Sequence, residues 1–222
     1  MAPSGLLLTN QLLRGAGPFE PTRAGERRWW WLVLMILAFG GLYGAVMGTF
    51  SLERPERWLQ VLYSGTKVPL LLLATTTLCL PAFFAINTVL GLRDDLRAAV
   101  QAILAGQAAL GVALASLAPL THFWYWCEAS YRAALLLNAA MFALATIGGQ
   151  IVIRRYYSEL IRRNARHRYG LAFWFSLYAF VGIQMGWMLR PFVGAPNVPT
   201  RFFRDEPFSN AYEVVFHLLT GT

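Results

Sequence analysis

The sequence contains little charge for its length. Only 14% of its 222 residues are charged, whereas a soluble domain carries roughly a quarter. Lysine is almost absent: Lys67 is the single example, so the net charge of +8 comes almost entirely from arginine. The abundant apolar residues form runs of about 20, the length of a membrane-crossing helix. We therefore expect an all-α polytopic membrane protein rather than one soluble core.

Residues that carry chemistry are also scarce. No Asp, Glu, Lys, Arg or His lies in the middle of an apolar run, and proton-coupled transport usually needs such groups. The three histidines lie outside the runs, so haem or pigment ligation is not predicted. No GxSxG, HExxH or P-loop motif is present, and Cys79 and Cys127 form no metal-binding pattern. We expect no enzyme activity, no catalytic residue, no metal and no cofactor.

Five apolar stretches predict a bundle of five transmembrane helices. The third is rich in alanine and glycine and is expected to pack on several sides. The second, which contains Pro69, Pro81 and Thr75–Thr77, is expected to be the kinked central helix. A polar cytoplasmic lead, a short interfacial helix and an extracytoplasmic tail with a short amphipathic helix complete the prediction. In chain order the predicted segments are the lead 1–28, the spans 29–50, 68–90, 98–120, 131–153 and 169–189 with the interfacial helix at 58–63, and the tail 190–222.

Glycines recur at four-residue spacing in two of these spans. The first contains Gly40, Gly44 and Gly48, and the fifth contains Gly182 and Gly186. This spacing places the glycines on one helix face, where another backbone can approach closely. Glycine is common in membrane helices in any case, but three in register favour a packing seam.

Arginine is distributed unevenly between the two ends of the spans. With the N-terminus inside, the inner segments contain twelve arginines and the outer segments seven basic residues. The positive-inside rule therefore predicts a cytoplasmic N-terminus and an external C-terminus. We expect the chain to be a multi-pass protein of a bacterial cytoplasmic (inner) membrane. Because the arginines cluster at span ends, nucleic-acid binding is not expected.

The connection 154–168 contains six of these arginines, and we expect it to be a loop. Two explanations stay open: binding of anionic lipid or of an acidic partner, or membrane topology alone. The candidates for lipid or partner binding here are Arg154, Arg155, Arg162 and Arg163.

A second candidate contact surface lies at the start of the tail. Prolines prevent a long helix there, and aromatic residues alternate with charged ones. Arginine and aromatic side chains are favoured at protein interfaces, so the pattern indicates a structured contact surface. Its candidate residues are Trp187, Arg190, Arg201, Phe202, Phe203 and Arg204.

The second span carries a resemblance to a known family. Gly65–Pro69 entering the span, Leu80-Pro81 within it, and Asn87 with Gly91 at its exit are similar to the Yip-domain family of bacterial five-span membrane proteins. The resemblance covers roughly residues 65–120. It implies five spans, a cytoplasmic N-terminus and a membrane-organising or partner-binding role, and it transfers no site residue.

The expected function is that of a non-catalytic integral membrane subunit or scaffold, with the lipid bilayer and other membrane subunits as partners. The alternative is a channel or facilitator for a small solute or ion, with the Thr75–Asn87 side of the second span facing a pore. The same threonine and asparagine side chains are better explained by hydrogen bonds within the bundle.

Overall fold

The computed structural model describes Asn10 and residues 26–50, 57–127, 130–195 and 198–203. These residues form helices and connections without any strand, and five of the helices are long and apolar enough to cross a membrane. The predicted all-α, five-helix architecture is confirmed. The helices are α1 (Glu26–Gly48), α2 (Trp58–Val89), α3 (Leu96–Cys127), α4 (Tyr131–Arg163) and α5 (His167–Met188), with a short 3-10 helix at Arg93–Asp95.

Several helices extend beyond their predicted bounds. The predicted interfacial helix at 58–63 forms the first turns of α2, which continues through Pro69. α3 runs to Cys127 through a stretch predicted as a loop, and α4 runs to Arg163 through most of the predicted arginine loop. The predicted bounds follow the apolar runs, whereas a helix continues into water wherever no residue breaks it. At 33 residues α4 is about 50 Å long, well beyond the ~30 Å of hydrocarbon in a bilayer.

The central helix of the bundle is α3, not α2 as the prolines and threonines suggested. Residues 101–111 of α3 are buried all round, between α1 on one side and α4 on the other. α2 packs on α1 and α5 and keeps Leu70, Leu78 and Phe84 exposed. Small alanine and glycine side chains allow neighbours to approach α3 from every side, as expected for the third span.

The glycines of the first span form a close seam between α1 and α2. A Cβ on Gly48 would lie 2.7 Å from the carbonyl oxygen of Gln60, and one on Gly44 would lie 2.9 Å from the carbonyl carbon of Ser64. Gly40 faces the backbone of Pro69 at 3.5 Å. Only residues without a Cβ fit the two tighter positions.

The pair in the fifth span behaves differently. A Cβ on Gly182 would make ordinary contact with Thr75, at 3.6 Å, and one on Gly186 would meet nothing within 4 Å. Among the described residues Gly186 therefore has no packing neighbour, although its spacing predicted one. The second close seam joins α3 and α4 instead, where a Cβ on Gly149 would lie 2.9 Å from the carbonyl oxygen of Gly106.

The connection from α2 to α3 fixes one end of the bundle. Gly91 adopts φ +71°, a conformation that favours glycine, and turns the chain into the 3-10 helix. The fully buried His167 at the start of α5 places its Nε2 3.1 Å from Asp95 Oδ2. The turn after α2 is thereby held to α5. We call this end, where α4 ends and α5 begins, the arginine-rich end.

Candidate functional site

Two regions are candidates for function: the chain after α5, and the arginine-rich end. In the first, residues 190–195 lie along a polar face of α2. The side chains on that face recur at intervals of three and four residues, so they share one side of the helix. We call this face the polar stripe, and it consists of Arg57, Gln60, Ser64 and Lys67.

The polar stripe donates hydrogen bonds to backbone carbonyls of the segment 191–195. Lys67 Nζ donates to the carbonyl of Pro191 at 2.7 Å, and Arg57 donates to that of Ala195 at 2.6 Å. Between them, Gln60 Nε2 donates to the Phe192 carbonyl at 3.0 Å, which also accepts from the Ser64 hydroxyl. Carbonyls in a non-helical segment need partners when they are buried, and these donors supply them. The stripe therefore attaches the segment to α2.

The aromatic residues predicted for partner contact differ in the structure, because Phe202 packs within the chain and Phe203 is exposed. The Phe202 ring packs edge-on against Tyr63, with centroids 5.2 Å apart, and Lys67 Nζ lies 4.8 Å from its centroid. Because Lys67 is fully buried, this ring and the Pro191 carbonyl replace water around its charge. Phe203 is 47% exposed and Arg201 is exposed. Phe202 is thus used within the chain.

Arg190 and Trp187 also contact each other, with the guanidinium carbon 3.1 Å from the indole centroid. A cavity of about 460 Å³ lies beside Arg190, between residues 190–195 and 198–200 on one side and the start of α4 on the other. Arg57 and Arg190 line it, and both guanidinium groups already contact their own chain. We interpret this region as the chain's own segment after α5 packing over one end of the bundle.

The arginine-rich end is the second candidate region. Exposed arginines from the 3-10 helix, the first turn of α3, the last turns of α4 and the start of α5 converge there. Asp94, Asp95 and Glu159 are the acidic residues of the same region within the described chain. The surface is therefore strongly positive. Its exposed arginines are Arg93, Arg97, Arg154, Arg155, Arg162, Arg163, Arg166 and Arg168.

The predicted arginines of this end lie on a helix rather than in a loop. Arg162 and Arg163 both pair with Glu159, the latter at 3.7 Å. Such exposed pairs contribute roughly 0–1 kcal/mol, so they leave both guanidinium groups available to another anion. Arg154 lies apart from them, with its guanidinium carbon 5.4 Å from the Phe175 centroid.

The polar residues of the second span bond within the bundle. Thr76 Oγ1 donates to the Leu72 carbonyl at 2.7 Å, and Asn87 Nδ2 donates to that of Phe83 at 2.7 Å. Thr75 is buried and lines a cavity between α2, α4 and α5. The structure thus brings Thr75 to a cavity and bonds Thr76 and Asn87 back onto their own helix.

The remaining polar residues that could carry chemistry make contacts within the chain. Across the described ranges no group of three or more His, Cys, Asp or Glu side chains is placed to hold a metal. Ser130 caps α4, where its hydroxyl accepts from the Ala133 amide at 3.4 Å. His122 lies beside Thr49, with Nδ1 3.4 Å from Oγ1. These contacts are those of ordinary structural residues.

Sequence reasoning overlooked the polar stripe and the α3–α4 seam. The spacing of residues 57, 60, 64 and 67 was a usable signal, because it places all four on one helix face. Gly106 and Gly149 had no such signal, since each is a single contact point on a different helix. Arg204 and the predicted tail helix after Pro207 lie outside the described residues, as does nearly all of the predicted lead.

Comparison with known proteins gives no relative. No family model matches the chain, nor does any curated protein or solved structure. The resemblance to Yip-domain proteins therefore has no support beyond the residues that suggested it.

Proposed function

We propose that this protein is a non-catalytic integral membrane subunit or scaffold that binds an acidic surface of a partner protein through its arginine-rich end. The observation that supports this most is the extension of α4. Its last ten residues, 154–163, continue the helix past the apolar run and present exposed arginines. A folded, positively charged helix end is a suitable contact surface for an acidic partner.

The opposite end of the bundle offers less room for a partner. There the polar stripe binds the chain's own segment 191–195, and Phe202 packs on Tyr63. Of the two contact regions expected from the sequence, one is therefore used largely within the chain. The arginine-rich end is the better candidate for contact with another subunit.

The alternative of a channel has weaker support. A pore at the centre of a five-helix bundle would occupy the place that α3 fills, and α3 is buried all round from residue 101 to 111. Thr76 and Asn87, which were candidates for pore lining, bond to backbone carbonyls of α2. Both observations favour packing roles.

The partner proposal is tested by affinity purification in mild detergent, with identification of the bound proteins. The test variant is Arg162→Gln/Arg163→Gln, which removes two exposed charges from α4. The matched control is Arg132→Gln, an exposed arginine at the other end of the same helix. We expect a partner that is retained by the wild type and the control, is lost from the double variant, and dissociates as salt is raised. Purification of the wild type as a lone protein contradicts the proposal.

The proposal also includes the predicted orientation, with the arginine-rich end in the cytoplasm of a bacterial cell. The native cysteines provide a test, because Cys127 at the end of α3 is exposed and Cys79 in α2 is buried. A membrane-impermeant maleimide applied to intact spheroplasts should label the wild type but not Cys127→Ser. Labelling only after the membrane is permeabilised would reverse the orientation.

A further inference from the structure

The cavity between α2, α4 and α5 is the most informative feature that the proposed function does not use. It has a volume of about 350 Å³, within the range of ligand pockets. α4 and α5 touch each other over only a small area, which leaves the space between them. Ile183, on its wall, is 55% exposed, so the cavity meets the protein surface within the apolar part of the helices. Its wall includes Leu72, Thr75, Phe142, Gln150, Phe175 and Gly182.

Two polar atoms on this wall have no hydrogen-bond partner. Thr75 is only 1% exposed, and its Oγ1 is unpaired. The Oε1 atom of Gln150, on the opposite wall, is also buried and unpaired. Buried polar atoms without partners are rare in native proteins because each is energetically unfavourable. Because both atoms lie on the wall of one cavity, an occupant with hydrogen-bonding atoms as well as apolar surface would satisfy them together.

A positive charge stands at one end of the cavity. Thr146, Gln150 and Arg154 follow one another at single-turn spacing on α4, and the first two line the cavity. The guanidinium of Arg154 lies over the ring of Phe175, which lines the cavity from α5. From Phe142 through Thr146 and Gln150 to Arg154, α4 therefore changes from apolar to polar and then to cationic over about 18 Å. An anionic lipid has an apolar chain, a polar linkage and a charged headgroup in the same order.

We propose that this cavity binds one anionic phospholipid from the leaflet at the arginine-rich end. One acyl chain fills the apolar part between α4 and α5, and the glycerol ester region lies beside Gln150 and Thr75. The phosphate pairs with Arg154. A lipid fits better than a soluble anion because most of the wall is apolar and its opening faces the bilayer. The proposal does not depend on the partner protein, whose binding is tested through Arg162 and Arg163.

The occupant is tested by native mass spectrometry of delipidated protein in detergent. The probes are dioleoyl phosphatidylglycerol and dioleoyl phosphatidylcholine, which have the same chains but different headgroup charge. The test variant Gly182→Leu places a side chain in the cavity, and the matched control Gly186→Leu adds it one turn further along α5, where it meets nothing. Ala143→Leu fills the cavity from α4 in case Gly182→Leu does not fold.

We expect the wild type and Gly186→Leu to bind one phosphatidylglycerol about tenfold more tightly than phosphatidylcholine, because the choline cation of the latter offsets the attraction between its phosphate and Arg154. Gly182→Leu and Ala143→Leu should lose that single bound lipid. Arg154→Gln should remove the preference for phosphatidylglycerol, whereas Arg168→Gln, an exposed arginine at the same end, should keep it. Equal binding by the cavity-filling variants and Gly186→Leu, or no preference in the wild type, overturns the proposal. Partner binding by Gly182→Leu is unaffected in either case.

Discussion

Gly44→Ala should destabilise the bundle more than alanine at any other glycine of α1, because its new Cβ would overlap the carbonyl oxygen of Ser64. Its new Cβ would lie 2.9 Å from the carbonyl carbon of Ser64 and 3.0 Å from the Cα of Gly65. Both are backbone atoms, so no side chain can rotate away and α1 must separate from α2. Overpacking of this kind costs roughly 1–3 kcal/mol. The separation would also displace Ser64, which bonds the segment 191–195.

The free energy of unfolding can be measured by SDS titration in mixed micelles, followed by circular dichroism. The matched control is Gly148→Ala in α4, where an added Cβ meets nothing within 4 Å. Because alanine forms helix better than glycine by up to about 1 kcal/mol, this control should be neutral or stabilising. Equal stability of the two variants would show that the α1–α2 distance is not set by Gly44.

Two further changes test individual hydrogen bonds. Ser64→Ala removes one of the donors to the Phe192 carbonyl. A loss of about 1 kcal/mol should raise amide exchange in the segment 191–195 roughly fivefold, as measured by hydrogen–deuterium exchange. Unchanged exchange there, with Gly148→Ala as the reference, would mean that Ser64 does not hold the segment. Tyr43→Phe removes the 2.9 Å hydrogen bond that its hydroxyl donates to Asn138 Oδ1 and that joins α1 to α4. The free energy of unfolding should fall by about 0.6 kcal/mol, at most about 1.7. A more stable variant would show that this hydrogen bond does not stabilise the bundle.

Composition predicted the fold class because length and apolarity determine a membrane span directly. Helix ends were less predictable, since hydropathy marks where the bilayer ends and not where hydrogen bonding in the helix ends. α4 shows the difference: its apolar run stops near Ile153, while the helix continues to Arg163. The arginines predicted in a loop are therefore held on a helix, which fixes the directions in which they project.

The remaining differences between prediction and structure depend on which helices pack against each other. Gly44 and Gly186 have the same sequence spacing to a neighbouring glycine, yet one meets a backbone and the other meets nothing. Spacing identifies a helix face but not the helix that packs on it. The cavity could not be predicted from the sequence either. Thr75 and Gln150 are 75 residues apart, and no sequence pattern shows that their helices are neighbours.

The burial of α3 has a consequence for how the protein is made. Gln107 lies in the buried part of this helix, and its Oε1 accepts a 2.8 Å hydrogen bond from the hydroxyl of Tyr178 in α5. Helices enter a membrane in the order of synthesis, so α3 enters two helices before the donor that satisfies it. Until α5 docks, this amide oxygen lacks its native donor. Arrival of α5 therefore completes this buried hydrogen bond, and a chain stalled after α4 has an unsatisfied amide in the interior of the bundle.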